Sequence, residues 1–232
     1  MEYRPEITWK AQEYIRTHGL APTHKRIVEI TGKNRVVLDV GCAWGYLGEA
    51  LSTNGCRVIG IEKDAAAAEQ AREACEKVLV GDVDDPRVLS SAGKDFDVII
   101  CADVLEHLVD PWTALKTLKN LLGPEGELIV SIPNIAYWQM RLHLLKGRFD
   151  YTDTGLLDRT HLRFFTIDTF KQMLRECGLK ITERIINDAG LPGFPRPKDW
   201  SRLPSWVRQM VTWFPNLCVF HAIYRLKPER DA

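Results

Sequence analysis

The sequence predicts an α/β domain built on a doubly wound, seven-stranded and mostly parallel sheet with an antiparallel last strand. Short apolar runs alternate with helical patterns between residues 35 and 135, and such alternation requires parallel strands joined by crossover helices. A glycine-rich turn follows the first apolar run, and acidic residues stand at the ends of several runs. Because ligands of open α/β sheets bind outside the carboxyl ends of the strands, these features also predict where a ligand lies.

The elements follow one another in the order that this fold requires. The predicted helices are 8–18, 22–31, 46–54, 64–75, 112–122, 166–177 and 205–214. The predicted strands are 36–40, 57–61, 77–80, 96–101, 127–134, 179–187 and 217–226. Pro22 suits the first turn of its helix, and Thr166 and Gly178 are typical of a helix start and a helix end. The last two strands are expected to close the sheet as an antiparallel pair.

The turn after the first strand is the most informative local motif. Gly41 and Gly45 allow the backbone to turn sharply and to approach a ligand closely, and Asp39 stands where the strand ends. A dinucleotide fingerprint would have glycines at the places of Ala43 and Tyr46, where the second glycine makes room for a pyrophosphate. The motif therefore favours a nucleoside ligand without phosphate over a dinucleotide.

Acidic residues at four consecutive strand ends extend this pattern. Glu62 follows the second strand, twenty-one residues beyond Gly41, where a carboxylate can accept hydrogen bonds from both ribose hydroxyls. Asp82 and Val83 follow the third strand, where they would border an adenine ring, and Asp103 follows the fourth. Acids often cap helices, but four of them in register with one glycine turn indicate a binding crevice.

With these motifs, residues 35–135 resemble the class I S-adenosylmethionine-dependent methyltransferases, which have a Rossmann-like fold. The resemblance implies that S-adenosylmethionine is the cofactor. It also implies that Asp103 lies near the methionine end and that the cofactor is lined by Asp39, Gly41, Gly45, Glu62, Asp82 and Val83.

The expected domain organisation follows from this resemblance and from the length. A chain of 232 residues is ample for one large hydrophobic core, and no repeat or second domain is evident. We expect a single methyltransferase domain over residues 1–232, with N-terminal helices in 1–33. Elaborations on the acceptor side are expected at 134–165 and 190–215.

A second cluster of functional residues is predicted where the fourth strand ends. One helical turn would place Asp103, Glu106 and His107 on one face, and His161 lies in a polar loop downstream. The spacing resembles that of ubiquinone-pathway O-methyltransferases and of small-RNA 2′-O-methyltransferases. Three hypotheses stay open: the four residues bind a divalent metal such as Mg²⁺; His107 or His161 is a general base, with Asp103 part of the catalytic group; or the cluster has a structural or positioning role.

Composition limits the function classes. The formal net charge is zero, so we expect no general affinity for nucleic acid. Residues 133–232 nevertheless contain 16 Lys and Arg against 10 Asp and Glu, which indicates either an anionic acceptor or a solvated basic face. The six cysteines are scattered, and no signal-like or membrane-spanning apolar run occurs, so we expect a cytoplasmic protein.

The tryptophan-rich segment 191–215 has three interpretations. A short amphipathic helix over 205–214 would place Trp206 and Trp213 on one side with Val207 and Met210. Such a face could form a wall of the acceptor pocket, a homodimer surface, or a weak membrane contact through 200–215. A lid packed on its own sheet is the simplest of these.

The sequence thus predicts an enzyme that methylates a small-molecule acceptor from S-adenosylmethionine. We favour O-methylation of a natural-product, glycan or quinone-like acceptor, because a hydroxyl group gives the second cluster a proton to remove. N-methylation of a small amine and a non-catalytic cofactor-binding scaffold are the alternatives.

Overall fold

The computed structural model describes Ile15, Thr17, residues 19–189 and residues 204–229. The predicted helix over 8–18 therefore lies almost entirely outside the described residues, as does the segment 190–203 with Trp200.

Seven strands form one sheet in the order β3-β2-β1-β4-β5-β7-β6. Neighbouring strands from β3 to β5 are parallel, whereas β7 is antiparallel to both β5 and β6. The strands are β1 Val36–Val40, β2 Arg57–Glu62, β3 Lys77–Val80, β4 Phe96–Ala102, β5 Leu122–Pro133, β6 Leu179–Ala189 and β7 Val219–Pro228. The predicted doubly wound sheet with an antiparallel last strand is thus confirmed.

Helices cover both faces of this sheet. They are α1 Pro22–Thr31, α2 Tyr46–Thr53, α3 Ala65–Ala71, α4 Pro86–Ser91, α5 Pro111–Lys119, α6 Trp138–Leu145, α7 Ile167–Glu176, α8 Ser205–Trp213 and α9 Pro215–Cys218, with a 3₁₀ helix at Leu105–His107. Residues that alternate along a strand point to opposite faces, so two cores form. Leu38 and Ile99 pack in the core that includes residues of α5 and α7, whereas Val37 and Ile100 pack in the core that includes residues of α1 and α2.

The strand order reverses between β1 and β4. The chain runs outward from β1 through β2 to β3 and then crosses to β4 on the other side of β1. In doubly wound sheets the crevice at such a reversal is the ligand site. The fold therefore places the glycine turn after β1 and the residues after β4 at the same crevice.

Several boundaries differ from those predicted. Helix α3 ends at Ala71 rather than near 75, because the next amides, of Glu73 and Ala74, donate to carbonyls three residues back and tighten the chain into turns. Strand β5 begins at Leu122, five residues earlier than predicted, and its pairing with β4 is irregular over the glycine-rich start. Helices α4 and α6 were not predicted, although Asp85 caps α4 and Pro86 begins it.

The helix in the tryptophan-rich segment buries a different side from the one predicted. Val207 and Val211 of α8 lie in the main core, whereas Trp206 and Trp213 are more than half exposed. Phe214, directly after the helix, is also exposed. The helix thus packs on its own sheet through its aliphatic residues, and its aromatic rings face outward.

Two further predictions concern the cysteines and the membrane. All six cysteines are free and buried, as their apolar surroundings in the sequence indicate. Among the described residues, none of the helices combines the length and the apolar character that crossing a bilayer would require.

Candidate active site

The turn after β1 is held in place by the backbone of β2. The amides of Gly41 and Cys42 both donate to the carbonyl of Ile61, at 2.8 and 3.0 Å. Gly41 and Gly45 have φ angles of +71° and +86°, which favour glycine. A Cβ atom on Gly45 would lie only 2.9 Å from the Cα atom of Ala71, so the turn also needs glycine for its packing against α3. The two predicted glycines therefore allow a tight turn that packs closely against its neighbours.

Glu62 fastens this turn from the end of β2. Its Oε2 atom accepts a hydrogen bond from the Ala43 amide at 3.0 Å, and its Oε1 atom accepts one from the Asp64 amide at 2.9 Å. Ala43 has a φ angle of +48°, so the residue at the second-glycine place adopts a left-handed conformation despite its Cβ atom. The Glu62 carboxylate thus orients the turn and stands at the crevice itself.

Asp39 is buried below the turn. Its side chain is 1% exposed, and its Oδ2 atom has no hydrogen-bond partner among the described residues. Burial, with a smaller contribution from the negative charge of Glu62, raises the pKa of Asp39 to about 7. A buried acceptor without a donor is costly, so this atom indicates a place where a ligand or a water would contribute a hydrogen bond.

Asp82 and Val83 lie at the outer end of the same edge. The Asp82 side chain is exposed and its Oδ1 atom accepts from the Asp84 amide at 2.9 Å, whereas Val83 is buried. The next acid, Asp84, accepts hydrogen bonds from the amides of Val109 and Asp110. The loop after β3 is therefore joined to the loop before α5, and both border the crevice.

Asp103 contacts residues of β5 and β7 instead of the predicted cluster. His221 Nε2 lies 2.6 Å from Asp103 Oδ1, and the Ser131 hydroxyl donates to the same oxygen at 2.8 Å. Burial alone would raise the pKa of Asp103, but the positive charge and hydrogen bond of His221, together with Ser131, hold it below its usual value. Asp103 is therefore a carboxylate that the His221 side chain and the Ser131 hydroxyl hold in place.

His24 of α1 approaches the same group from the other side of the crevice. Its Nε2 atom lies 3.3 Å from the hydroxyl of Tyr46, the first residue of α2. Its Nδ1 atom is buried without a partner in the described part of the chain. Burial lowers the pKa of His24, so the ring is neutral near pH 7.

Glu106, His107 and His161 form the second cluster. One ligand atom from each lies within 4.8 Å of the others, and the two imidazole rings meet edge to face with centroids 4.8 Å apart. The backbone carbonyl of Glu106 accepts from the amides of Leu162 and Arg163, which brings the downstream loop onto the 3₁₀ helix. Two segments more than fifty residues apart are thus fixed beside each other.

The protonation states in this cluster follow from burial. Burial, and then the neighbouring His161, lowers the pKa of His107, and burial also lowers that of His161. His107 Nδ1 faces the Thr160 carbonyl at 3.2 Å, and His161 Nδ1 faces the Leu156 carbonyl at 3.3 Å. A carbonyl requires a donor, so each ring carries its proton on Nδ1 and keeps a lone pair on Nε2.

Glu106 completes the cluster as a buried acid. Its side chain is 1% exposed, and its Oε2 atom lacks a partner among the described residues. Burial, followed by the charge of Asp103, raises the pKa of Glu106 well above its usual value. Burial therefore disfavours the charged form of this carboxyl group unless a cation binds beside it.

The structure brings together three of the four predicted metal ligands. Asp103 is not among the ligand atoms grouped around Glu106, because its φ angle of +56° turns the chain before the 3₁₀ helix begins. The prediction assumed a continuous helical turn from Asp103 onward. His221 and His24 were not predicted, since 118 and 79 residues separate them from Asp103 in the sequence. The only available signal was that β7 would pair with β5, which places His221 opposite Pro133.

A shallow cleft lies next to His161. As it stands it is too narrow to hold even a water molecule. Apart from His161 and Arg163, its lining is apolar and consists of Pro133, Ile135, Leu156, Phe164 and Phe165. Arg163 donates to the Val109 carbonyl, and Arg159 pairs with Asp153 at 3.0 Å.

Fold and crevice together define a class I S-adenosylmethionine-dependent methyltransferase. Residues 12–184 match the protein family described as "Methyltransferase domain", and the chain belongs to that family.

Curated relatives carry the name ubiquinone biosynthesis O-methyltransferase. The protein of that name from Coxiella burnetii is 33% identical over 122 residues, which cover 50% of this chain and 52% of the relative. That from Cereibacter sphaeroides is 30% identical over 162 residues, covering 64% of this chain and 61% of the relative. The chain thus spans about half to three fifths of the length of these relatives.

Solved structures share the fold along nearly the whole chain. A TehB-like S-adenosylmethionine-dependent methyltransferase from Corynebacterium glutamicum superposes with a TM-score of 0.61 at 16% identity, covering 97% of this chain and all of that one. An S-adenosylmethionine-dependent methyltransferase from Archaeoglobus fulgidus gives 0.62 at 17% identity, covering 94% of this chain and all of that one. At these identities the likeness concerns the fold.

The residues of the crevice fit S-adenosylmethionine. The cofactor has ribose hydroxyls for a carboxylate such as Glu62, and positive sulfonium and ammonium groups for acidic surroundings such as Asp39 and Asp103. It has no phosphate, which agrees with Ala43 at the second-glycine place.

Proposed function

We propose that this protein methylates a hydroxyl group of a small-molecule acceptor. The observation that carries the proposal is the pair of His107 and His161, two imidazoles that burial keeps neutral beside the crevice. A neutral imidazole with a lone pair on Nε2 can take the proton of a hydroxyl group as that oxygen is methylated. The names of the curated relatives support the same chemistry.

The proposed cofactor residues follow the edge of the sheet. Asp39, Gly41 and Gly45 shape the turn beneath the cofactor, and Asp103 lies at its methionine end. Glu62 accepts from the ribose hydroxyls, and Asp82 and Val83 border the adenine. When bound, S-adenosylmethionine supplies an activated methyl group on sulfur. The protein then has to align the acceptor, exclude water and remove a proton.

The acceptor is proposed to enter through the cleft beside His161. The cleft would have to widen to admit a ring, and its apolar lining, with Phe164 and Phe165, then suits a flat or quinone-like acceptor beside the His161 base. The hydroxyl proton moves to Nε2 of His161 or of His107. Meanwhile Nδ1 of each ring keeps its own proton and donates it in a hydrogen bond to the carbonyl of Leu156 or Thr160, respectively. Each base is therefore oriented by a backbone group.

A divalent metal at the same cluster is a second candidate. The favouring observation is that Glu106 Oε2 is buried without a partner within reach of both imidazoles. Without Asp103 the ligand set is two imidazoles and one carboxylate, which suits Zn²⁺ or Mn²⁺ better than Mg²⁺. Such an ion would polarise the acceptor hydroxyl and would keep Glu106 ionised.

Turnover on a panel of acceptors tests the proposal. The purified protein is incubated with S-adenosylmethionine and with catechols, hydroxylated quinones, sugars and amines, and S-adenosylhomocysteine release is measured. Hydroxyl acceptors should turn over, and His107→Ala or His161→Ala should reduce kcat at least 100-fold. His143→Ala, an exposed histidine of α6, is the matched control and should have no effect.

Other outcomes of this panel separate the alternatives. Turnover of amines alone would replace O-methylation by N-methylation, and cofactor binding without turnover of any acceptor would favour a scaffold. Loss of turnover on chelation, restored by Zn²⁺ or Mn²⁺, would assign the cluster to a metal. Full turnover of both histidine variants would refute the base and the metal site alike.

A further inference from the structure

Asp103 and His221 form a pair that the acceptor chemistry proposed above does not use. Both hydrogen bonds to the Asp103 side chain, from His221 Nε2 and from Ser131 Oγ, end on Oδ1. The other oxygen, Oδ2, accepts no hydrogen bond from any described residue. The His221 side chain is 10% exposed, whereas that of Asp103 is 38% exposed. One oxygen is therefore fixed inside the protein and the other stays accessible.

Asp103 follows β4 at the point where the chain packs against the glycine turn. The residue after Asp103, Val104, packs so closely on the turn that a Cβ atom on Gly41 would lie 2.9 Å from Val104 Cγ2. From the opposite side, His24 interacts electrostatically with Asp103 and contacts Tyr46, where the turn becomes α2. Asp103 is thus a near neighbour of the glycine turn and of His24.

The pair also determines the charge at this place. Burial acts to raise the pKa of Asp103, and the His221 side chain is the principal group that lowers it instead. Loss of the imidazole would leave the acid with the Ser131 hydroxyl as the remaining side-chain donor to its carboxylate among the described residues. The negative charge beside the turn therefore depends on a side chain from the last strand.

We propose that His221 is a positioning residue for cofactor binding: it fixes Asp103 Oδ1 so that Oδ2 binds the ammonium group of the methionine moiety. The inference rests on the proposed placement of S-adenosylmethionine along this edge and is independent of the acceptor. An ammonium group is the part of the cofactor that needs a full negative charge with free lone pairs.

A double-mutant cycle with two ligands tests this role. S-adenosylmethionine and 5′-methylthioadenosine, which lacks the amino-acid part, are titrated calorimetrically into the wild type, Asp103→Asn, His221→Leu and the double variant. Each single variant should weaken S-adenosylmethionine roughly tenfold or more, and the double variant should be no weaker than Asp103→Asn alone. Affinity for 5′-methylthioadenosine should change less than twofold.

Two further variants separate positioning from folding. His221→Gln keeps a side-chain N–H for Asp103 and should recover part of the affinity that His221→Leu loses. It also replaces His221→Leu in the cycle if melting curves show that the leucine variant is unfolded. His143→Leu makes the same change at an exposed histidine and should leave both affinities unchanged.

The opposite results would overturn the inference. Equal losses for both ligands would mean that His221 only supports the fold. If the double variant lost affinity for S-adenosylmethionine by the product of the two single losses, the two residues would act independently. In either case wild-type binding of S-adenosylmethionine would leave the proposed function standing, whereas a wild type that binds neither ligand would refute the proposed cofactor site itself.

Discussion

Asp39 is a buried carboxyl group whose charge the folded protein disfavours. Its pKa of about 7 lies above the ordinary value of 3.8, so the folded state holds a proton that the unfolded state has lost between these two pH values. A group of this kind stabilises the fold fully below its unfolded pKa, and the contribution is lost as the pH rises through the folded pKa.

We therefore expect Asp39→Asn to change how stability depends on pH. As the pH rises from 5 to 8, the unfolding free energy of the wild type should fall by about 2 to 3 kcal/mol relative to that of the variant, because asparagine stays neutral. Urea unfolding of both proteins, without cofactor, at several pH values measures the difference. A constant difference across this range would show that Asp39 titrates normally.

Glu62 holds the glycine turn in place and is also proposed to bind the cofactor, so one substitution tests both roles. Its oxygens accept from the amides of Ala43 and Asp64, and its remaining lone pairs are proposed to accept from the ribose. In Glu62→Gln the side-chain NH₂ group would oppose one of these amides, and a charged acceptor would be lost. We expect S-adenosylmethionine to bind roughly 10- to 100-fold more weakly, as measured by calorimetry.

Glu76→Gln is the control for this prediction. Glu76 pairs with Arg57 on the surface at 2.8 Å, next to the same strand but away from the crevice. Its loss should leave the affinity for the cofactor unchanged. Equal affinities of Glu62→Gln and the wild type would remove Glu62 from the cofactor site.

Single residues were predictable from the sequence where a strand end determined their position. Asp39 and Glu62 are fixed by the strands that precede them, so the apolar runs were enough to place them at the crevice. Asp103 also follows its strand, but its contacts depend on a left-handed φ angle and on His221 of a distant strand. The spacing of residues along the sequence shows neither the φ angle nor the distant histidine. It therefore predicted a cluster of Asp103 with Glu106 and His107.

At the scale of elements, the turn between β1 and α2 depends on Gly45. Its φ angle is +86°, and an added Cβ atom would meet the backbone of Ala71 in α3 at 2.9 Å. Gly45→Ala should therefore separate α2 from α3 and widen the turn. We expect a loss of about 2 to 4 kcal/mol in unfolding free energy and at least a tenfold loss of cofactor affinity.

Gly93→Ala provides the matched comparison. Gly93 also has a positive φ angle, +106°, but no atom lies within 4 Å of the place of its Cβ. Its substitution should cost only the backbone strain, about 1 to 2 kcal/mol, and should leave cofactor binding unchanged. If the two variants behave alike in both measurements, close packing on α3 is not what the turn requires of Gly45.

The elements were predictable in proportion to their hydrophobic periodicity. The strands β1 to β4 were placed within a residue or two, because each is a short, mainly apolar run; β1, β2 and β4 are mostly buried, whereas β3 lies at the sheet edge and is partly exposed. Helices α4 and α6 have six and eight residues, too few for a clear helical period, and the structure identifies them by caps and packing. The start of β5 was missed because Gly123 to Gly126 is typical of a turn, yet it pairs with β4.

At the scale of the whole molecule, the two sides of the crevice come from distant parts of the chain. Residues 39–62 form one side, and Asp103, Glu106, His107 and His161 form the other, on opposite sides of the strand-order reversal between β1 and β4. Strand β7 contributes His221 from near the end of the described chain. A ligand that touches all of these groups joins elements that otherwise meet only through the sheet.

Cofactor binding should therefore stabilise the molecule as a unit. A ligand that binds only the folded state at 100 times its Kd adds about 2.7 kcal/mol. For a chain of this length we expect S-adenosylmethionine to raise the Tm by about 5 to 10 °C. Hydrogen exchange should slow at the carboxyl ends of β1, β2 and β4, because these backbone groups lie under the proposed site.

The same measurement on variants distinguishes the cofactor site from a general effect of the ligand. The Tm of Glu62→Gln and of Gly45→Ala should rise by less than half as much as that of the wild type at the same ligand concentration. The Tm of Glu76→Gln should rise as much as that of the wild type. Protection confined to β6 and β7 would place the ligand elsewhere on the sheet. Protection along the β1–β4 edge that disappears in Glu62→Gln is the result that the geometry of the crevice requires, because that carboxylate fastens the turn on which the proposed cofactor site is built.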